Sequence, residues 1–585
     1  MVLQEKSRFK NKKKMIQEKI KKLVGESLQK LGIESAEVSL EHPDEISNGD
    51  YSTSVALVYA KVLKQKPREL AEEIVRYIVL KKPEEMERVE IAPPGFINFY
   101  LSREFFADSV SEIFLSLPKE NFGKNDSLAG KKVMVEYTDP NPFKLFHIGH
   151  LMSNAVGESL SRLVEFQGAS VVRVCYPGDV GLHIARAIWG MMHGKIADFR
   201  FTIQDLGKAY VLGAEKYESD LEAKKEIDEI NKKVYEKSDD EINKLYDLGR
   251  KVSLKHFEEL YKKLGTKFDR YYFESEVADE GLRIVKEFLT QNVFEVSEGA
   301  VVFRGDKHGL HTRVFITSKG LPTYETKELG LTKGKFAEVN PDLSIVVTAN
   351  EQSEYFKVVL EAMRHIDTKM ASRTLHISHG MLRFAEGKMA SRKGNIITGE
   401  SLISSVEAMV HKKLEERELE TFEKNKIAEV VAIGAIKYSI LRQAIGGDII
   451  YDFEKSISFE GDSGPYLQYS FVRAKSVLQK AKKENIEMAP ISAAEIGAPS
   501  EVSLLERLLP RFPEVVLRAG REYAPHLVAT YLIELAGAFN SYYAKNQIVN
   551  VSDKTSPYKV ALTSAFATVM KNGLWLLGIS APEQM

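Results

Sequence analysis

Hydrophobic and polar positions along the chain change rhythm three times. In the first stretch, to about residue 115, helical spacing gives way to strand-like runs. Ile16, Ile20 and Leu23 share one face of the basic segment "MVLQEKSRFKNKKKMIQEKIKKLV" and predict a helix over about 9–32. By composition alone, a basic amphipathic presequence is the alternative. The turn cluster "HPDEISNGDYS" follows, then a helical stretch from Val55 to Leu80 with leucines and valines at helical spacing. "VEIAPPGFINFYLS" reads as a strand, a Pro-Pro-Gly break and a second strand. Together these predict a small α+β unit, followed by the polar linker "NFGKNDSLAGKK".

The second stretch opens on the short apolar strand "KVMVEYT", passes through a helical pattern from Leu151 to Phe166, and returns to a strand in "ASVVRVCYPGD". Strand, helix and strand within about 45 residues form a βαβ unit and imply a parallel sheet, whose ligands bind at the carboxyl ends of its strands. Residues at about 200–263 are charged and helical, which reads as a solvated helical insertion. Strand-like runs return in "GAVVFRG", "RVFIT", "LSIVVTAN" and "TLHISHGML". In the third stretch, from about 400, almost everything is helical. It ends in two apolar helices, at about 522–544 and 557–578.

Composition narrows this only a little. A chain of 585 residues has room for three to four domains of about 150 residues. Hydrophobic residues make up 44% and charged residues 28%, ordinary for a globular protein. A net charge of −1 argues neither for nor against nucleic acid as a partner. The one cysteine, Cys175, excludes a disulfide framework and any multi-cysteine zinc site, and fits a reducing cytoplasm. No run reaches about 18 apolar residues, so no transmembrane helix is expected.

Candidate chemistry begins at "YTDPNPFKLFHIGHL", residues 137–151, where the first strand of the βαβ unit ends and its helix begins. His147 and His150 stand three apart and face the same side of that helix. Four roles compete for them. As metal ligands they lack a third partner at suitable spacing, and as a general base they lack an acidic orienter. They also fit as core histidines, or as groups that meet an anion at the helix N-terminus. Gly149 leaves room for a flat group to approach the backbone.

A second motif, "EGKMASRKGNII" (386–397), is a Gly-flanked basic loop. Arg383, Lys388, Arg392 and Lys393 fall within eleven residues. A solvated loop is the plain alternative. Because it follows a strand end of the same sheet, it is placed to close over a triphosphate held at "HIGH", where cations stabilise a phosphoryl group in transit. In "LPTYETKELGL", Tyr324 and Glu328 are four apart and share a helix face, which from spacing alone reads as a surface helix.

"HIGH", followed about 240 residues later by "KMASR", resembles the paired signatures of class I aminoacyl-tRNA synthetases. "EYTDPNPFKLFHIGHL", "YPGDVGLHIA", "FDRYYFESE", "LPTYETKELGL", "FEGDSGPYLQYSFVRA" and the final "LLGISAPEQM" narrow the resemblance to the arginyl-tRNA synthetase family. "GDYSTSVA" and "GFINFYLS" resemble that family's N-terminal domain, so the likeness runs over nearly the whole chain in order.

The resemblance implies a multidomain α/β protein. It has a small α+β N-terminal domain that contacts tRNA (1–120) and a Rossmann-like catalytic domain (121–400) carrying the helical insertion. A helical stem (401–464) and an all-helical anticodon-binding domain (465–585) complete it. It implies ATP-dependent joining of arginine to tRNA(Arg) by a cytoplasmic monomer, with ATP and Mg2+ as a substrate complex and no protein-bound zinc. His147, Gly149, His150, Met381, Lys388 and Lys393 are then ATP-binding positions, with Lys144, His147, His150 and Lys388 catalytic. Glu136, Asn141, Glu274, Tyr324, Glu328 and Gln352 are arginine-binding positions, since paired carboxylates and a phenol suit the planar fork of a guanidinium.

Counting 501–585 gives eight Lys/Arg and seven Asp/Glu, so the anticodon segment is no basic patch. Stacking by Tyr523, Tyr531, Tyr542 and Tyr543 is the implied RNA contact, although their spacing also suits a helical core. Phe105, in "NFYLSREFF", is the implied contact with the outer corner of the tRNA. Two departures from the family stand out. Glu328 replaces the usual aspartate, and Ser391 stands where the signature has a second lysine. Lys144, three residues before "HIGH", is the expected replacement for that charge. The rivals are a non-catalytic homologue, against which the intact motifs argue, and a synthetase for cysteine or glutamate. A single cysteine makes the zinc site of a cysteine enzyme improbable, and the acidic matched positions do not suit glutamate.

Overall fold

The structure is a computed structural model that describes residues 15–116, 118–194, 201–384, 398–486 and 501–585. The chain forms two compact units. One comprises Met1–Glu120, Ser476–Arg511 and Ala538–Thr568; the other comprises Asn121–Lys475, Phe512–Gly537 and Val569–Met585.

In the first unit, helix Ile16–Lys30 buries Ile20, Val24 and Leu28, the face its spacing predicted. The stretch from Val55 to Leu80 is two helices rather than one, Val55–Leu63 and Pro67–Leu80. Lys64 turns left-handed at φ 53° to end the first, and Pro67, which has no N–H to donate, opens the second. These helices cover a three-stranded antiparallel sheet in the order Tyr51–Thr53, Phe96–Leu101, Met86–Ala92. Buried Asp50 accepts the Leu101 N–H at 2.8 Å and pairs with Arg507 from the helical part of the same unit.

The second unit is built on a five-stranded parallel sheet. Its spatial order is Thr374–His379, Leu343–Ala349, Lys132–Glu136, Ser170–Cys175, Arg270–Tyr271. The first strand in the chain, Lys132–Glu136, is central. The next two strands lie on one side of it and the last two on the other, so the strand order reverses at Lys132–Glu136 and Leu343–Ala349. In such sheets that reversal opens a crevice beyond the carboxyl ends. The "GAVVFRG" and "RVFIT" runs belong to a separate antiparallel sheet of Glu295–Ser297, Ala300–Phe303 and Arg313–Ile316. The charged insertion is three helices, Ile203–Ser219, Leu221–Glu236 and Asp240–Leu264. They are not merely a solvated face, because Ile203, Leu206, Ile227 and Ile242 form a core with Ile184, Ile188 and Phe143.

Helix Ile148–Phe166, which begins within "HIGH", is buried along almost its whole length. Its middle receives Tyr137, whose hydroxyl donates to Glu158 at 2.5 Å while Arg162 holds the other carboxylate oxygen at 2.7 Å. Its far half accepts the C-terminal part of the chain. Ser159 Oγ donates to the Leu576 carbonyl at 2.8 Å, Arg162 Nη1 to that of Trp575 at 2.9 Å, and Gln167 Nε2 to that of Leu517 at 3.1 Å. A Cβ on Gly157 would lie 2.2 Å from the fully buried Tyr137 ring. Gly157→Ala is therefore expected to destabilise this unit by about 1–3 kcal/mol through overpacking, seen as a lower urea midpoint of its unfolding transition.

Candidate active site

Every strand of the parallel sheet delivers side chains to its carboxyl edge. Lys132–Glu136 ends in Glu136 and runs into the loop 137–147. Ser170–Cys175 is followed by Tyr176 to Asp179, Arg270–Tyr271 by Glu274, Leu343–Ala349 by Gln352, and Thr374–His379 by Met381.

The loop 137–147 is strained and tightly tied. Thr138, Asp139 and Phe143 all have positive φ, at 83°, 46° and 66°. Thr138 N donates to Ser153 Oγ at 2.9 Å, and Asn154 Nδ2 donates to Thr138 Oγ1 at 3.0 Å. Asp139 accepts the Tyr176 N–H at 2.6 Å, and Phe143 N donates to Ser253 Oγ at 2.8 Å.

The loop ends at a reciprocal cap made by the two histidines. His147 is the N-cap, and its Nδ1 accepts from the N–H groups of Gly149 (3.1 Å) and His150 (3.4 Å). His150 Nδ1 accepts the His147 N–H at 3.2 Å, and the rings stack with centroids 3.5 Å apart. With both Nδ1 atoms accepting, the proton of each neutral ring sits on Nε2. Desolvation and then the Lys144 charge lower the pKa of His147. Burial, His147 and Lys144 lower that of His150 well below its ordinary value. Both rings are therefore neutral donors at physiological pH. The N–H groups of Gly149 and His150, expected to be open to an anion, are thus taken by His147 itself. Gly149 lies under the His147 ring, where a Cβ would come within 3.0 Å. Lys144 is half-buried, with Nζ 4.8 Å from the ring centre of Tyr210 on the insertion, and it forms no ion pair among the described residues.

Beside the cap lies a cluster of buried carboxyls. Glu136, Glu274 and Glu328 are each no more than 5% exposed. Glu136 pairs with fully buried Lys335, and Glu274 with Lys327 at 2.5 Å. Glu328 has no ion pair among the described residues; burial first, then the Glu136 charge, pushes its pKa up to about 8. Burial and the Glu136 charge likewise raise Asp139 well above the carboxylate range. Gly178 draws two of the predicted positions together, since a Cβ there would lie 2.4 Å from Asn141 Oδ1 and 3.0 Å from Glu274 Oε1. Buried Asp179 fixes the start of the Glu274 helix by accepting Ser275 N at 2.9 Å and Ser275 Oγ at 2.8 Å. It also holds Tyr246 at 2.8 Å and Arg250 at 3.1 Å on the insertion.

Residues 112–453 match the family described as tRNA synthetases class I (R), catalytic domain. Residues 467–585 match the DALR anticodon binding domain, and 11–101 the arginyl tRNA synthetase N terminal domain. The arginine–tRNA ligase of Clostridium perfringens is 30% identical over 98% of this chain and 100% of its own length. That of Fusobacterium nucleatum is 32% identical over 92% and 93%. The chain belongs to the arginyl-tRNA synthetase family. Its fold is also that of the solved Thermus thermophilus arginyl-tRNA synthetase, with a TM-score of 0.79 at 23% identity over 98% of this chain and 100% of that one. The Plasmodium falciparum enzyme gives 0.78 at 21% identity over 98% and 99%.

Within this synthetase the remaining predicted positions separate. Tyr324 is 61% exposed although Glu328, one turn on, is buried, so their helix Tyr324–Glu338 is no surface helix. Gln352 is exposed just ahead of helix Ser353–Ile366. Met381 N donates to Asp448 at 2.9 Å and its carbonyl accepts from Ile449 at 2.8 Å, so its N–H is already engaged. Lys388, Ser391, Arg392 and Lys393 lie outside the described residues. The strand before them, Leu382–Phe384, pairs with Ile449–Tyr451 rather than with the main sheet. After them, Thr398 bridges to His147 and Gly399 N donates to the Phe146 carbonyl at 2.8 Å.

Of the aromatics assigned to RNA, Tyr543 is exposed, and Tyr523, Tyr542 and Phe105 are half-buried. Phe105 packs on the N-terminal core, and Tyr542 packs against a cluster that includes Val477 and Ile548. Tyr531 is 4% exposed and packs near Phe512, which removes it from any base-stacking set. Lys327, Lys335, Asp139, Asp179 and Tyr176 were not singled out by spacing. Tyr176 Oη is buried without a hydrogen-bond partner among the described residues, in a field shared by Glu274 and Glu328.

Glu328 holds its proton more tightly in the folded chain than in the unfolded one, where a glutamate releases it near 4.5. Folding takes up a proton between these values, so the group's stabilising contribution is lost as pH climbs from about 4.5 towards 8. Glu328→Gln is expected to flatten that slope, by at most about 1.4 kcal/mol per pH unit, in urea unfolding at a series of pH values.

Proposed function

We propose that the protein is an arginine–tRNA ligase. An arginine carboxylate oxygen attacks the α-phosphorus of ATP, the bond to the β-phosphate oxygen breaks, and pyrophosphate leaves. The hydroxyl of the 3'-terminal adenosine of tRNA(Arg) then attacks the acyl carbon of arginyl-adenylate, and AMP leaves. The reading includes Mg2+ with the ATP and a cytoplasmic monomer.

One observation carries the choice of amino acid. Four carboxyls, Glu136, Asp139, Glu274 and Glu328, lie at the carboxyl edge with two lysine partners, Lys327 and Lys335. The two acids left without lysines, Asp139 and Glu328, both have their pKa raised by burial and the Glu136 charge. A ligand with a guanidinium and an α-ammonium supplies the two missing cations, and Asn141, Tyr324 and Gln352 stand at the rim to orient it. Charging of mixed tRNA with each amino acid in turn tests this. Arginine is expected to be incorporated alone, and failure to charge with arginine would overturn the reading.

Activation needs positioning and charge more than covalent help. In this reading the neutral Nε2–H groups of His147 and His150 donate to phosphate oxygens, over Gly149. Lys144 supplies positive charge from the loop before them, in place of the signature's second lysine. Its position is supported by its electrostatic effect on His147, His150 and Glu274. Lys388 and Lys393 act from the segment that rejoins the described chain at Thr398, beside His147. Exposed Tyr543 and half-buried Tyr523 and Tyr542 are the residues offered to anticodon bases, and Phe105 to the outer corner of the tRNA. Lys144→Ala is expected to lower kcat for adenylate formation by about 10²-fold with little change in the KM for arginine. A near-normal rate in pyrophosphate exchange would return Lys144 to a structural role on Tyr210.

A further inference from the structure

Away from the carboxyl edge, two histidines and a glutamate converge. Glu361 and His365 stand one turn apart near the end of helix Ser353–Ile366. His308 closes the short turn Gly305–His308, where Gly309 goes left-handed at φ 70°. Glu361 Oε1 lies 3.6 Å from His308 Nδ1 and 3.6 Å from His365 Nε2, and all three ligand atoms fall within 4.8 Å of one another. The carboxylate divides its duties, because Oε2 takes Arg364 and Oε1 faces the two rings. Neither imidazole has a hydrogen bond to a described residue.

The spacing is informative. At 3.6 Å the contacts are too long for hydrogen bonds. Two ligands on one tetrahedral zinc ion, each about 2.0–2.1 Å from it, stand about 3.3 Å apart. The rings are also held in place. His308 lies nearly parallel to buried Phe303, with centroids 5.6 Å apart at 14°, and the His365 ring is 5.0 Å from that of His308. Small rotations of partly exposed side chains would close the set.

We propose that His308, Glu361 and His365 form a binding site for a zinc-like divalent ion. Two imidazoles and one carboxylate suit Zn2+ better than Mg2+ or Ca2+, which favour all-oxygen shells. A fourth position is left for water. The ion staples the turn that precedes strand Arg313–Ile316 to helix Ser353–Ile366, and its role is structural rather than catalytic. The lone cysteine excludes a thiolate zinc site but has no bearing on this one, whose ligands come from two separate segments.

The test is calorimetric titration of the chelator-treated, full-length protein with ZnCl2, together with titration by CoCl2 monitored by visible absorption. One equivalent of Zn2+ is expected to bind, Co2+ is expected to give the absorption of a low-coordinate imidazole site, and Zn2+ is expected to raise the unfolding temperature. His365→Asn and Glu361→Gln should each weaken binding at least about tenfold, on the scale of perturbed metal shells. His308→Ala/His365→Ala should abolish both it and the thermal shift. Circular dichroism confirms that the variants are folded. Absence of saturable binding to the wild-type chain would overturn the proposal, as would binding unchanged in the double variant, which would place the ion elsewhere.

Discussion

Two lysines on one helix determine what the carboxyl edge of the parallel sheet can tolerate. Lys327 and Lys335 are no more than 4% exposed, a place where an ammonium survives only with a partner. Each has one, Glu274 or Glu136, from different strand ends. Helix Tyr324–Glu338 is thereby bound electrostatically to two other elements of the site. The same helix brings Glu328 into the crevice with no ion-pair partner among the described residues. Burial and the Glu136 charge make its carboxyl hold its proton up to about pH 8.

The histidine cap solves a different problem. Helix N-termini attract anions through unpaired N–H groups, but here those of His147, Gly149 and His150 are engaged within the motif. The rings trade backbone hydrogen bonds with each other, which fixes their tautomers and leaves the proton of each on Nε2. Low pKa values follow from the same packing, so the donors stay uncharged while Lys144 carries the local positive charge. Neutral rings and a nearby ammonium thus divide directional hydrogen bonding from long-range attraction.

Much of this architecture is readable from residue patterns. The βαβ unit, the position of "HIGH" at a strand end, the helical insertion and the two final helices all follow from periodicity and turn residues. The break at Lys64 was hidden because apolar spacing continues on both sides of it, although Pro67 marks it. The insertion's core was hidden because its charged residues outnumber the apolar ones in the linear pattern. Lys327 and Lys335 could not be found this way. A lysine in a charged helix looks solvated unless the carboxylates that bury it are known, and those arrive from strands far away in sequence. Tyr531 shows the converse, since an aromatic at helical spacing has no mark to separate a core ring from a base-stacking one. The resemblance to the family supplied pocket positions that spacing alone left as a surface helix.

The "HIGH" helix has one more property. Its first turn faces the crevice, but Ser159, Arg162 and Gln167 on its far half are completed by carbonyls of Leu517, Trp575 and Leu576. Ser159 and Gln167 are buried, so their bonds are not replaceable by water. A chain emerging from the ribosome makes the helix 350 to 417 residues before it makes the groups that finish it. The helix therefore reaches its final hydrogen-bonded state only after nearly all of the protein has been synthesised. Completion of the "HIGH" helix is in this sense a late event of biosynthesis, although the motif is written near the first quarter of the sequence.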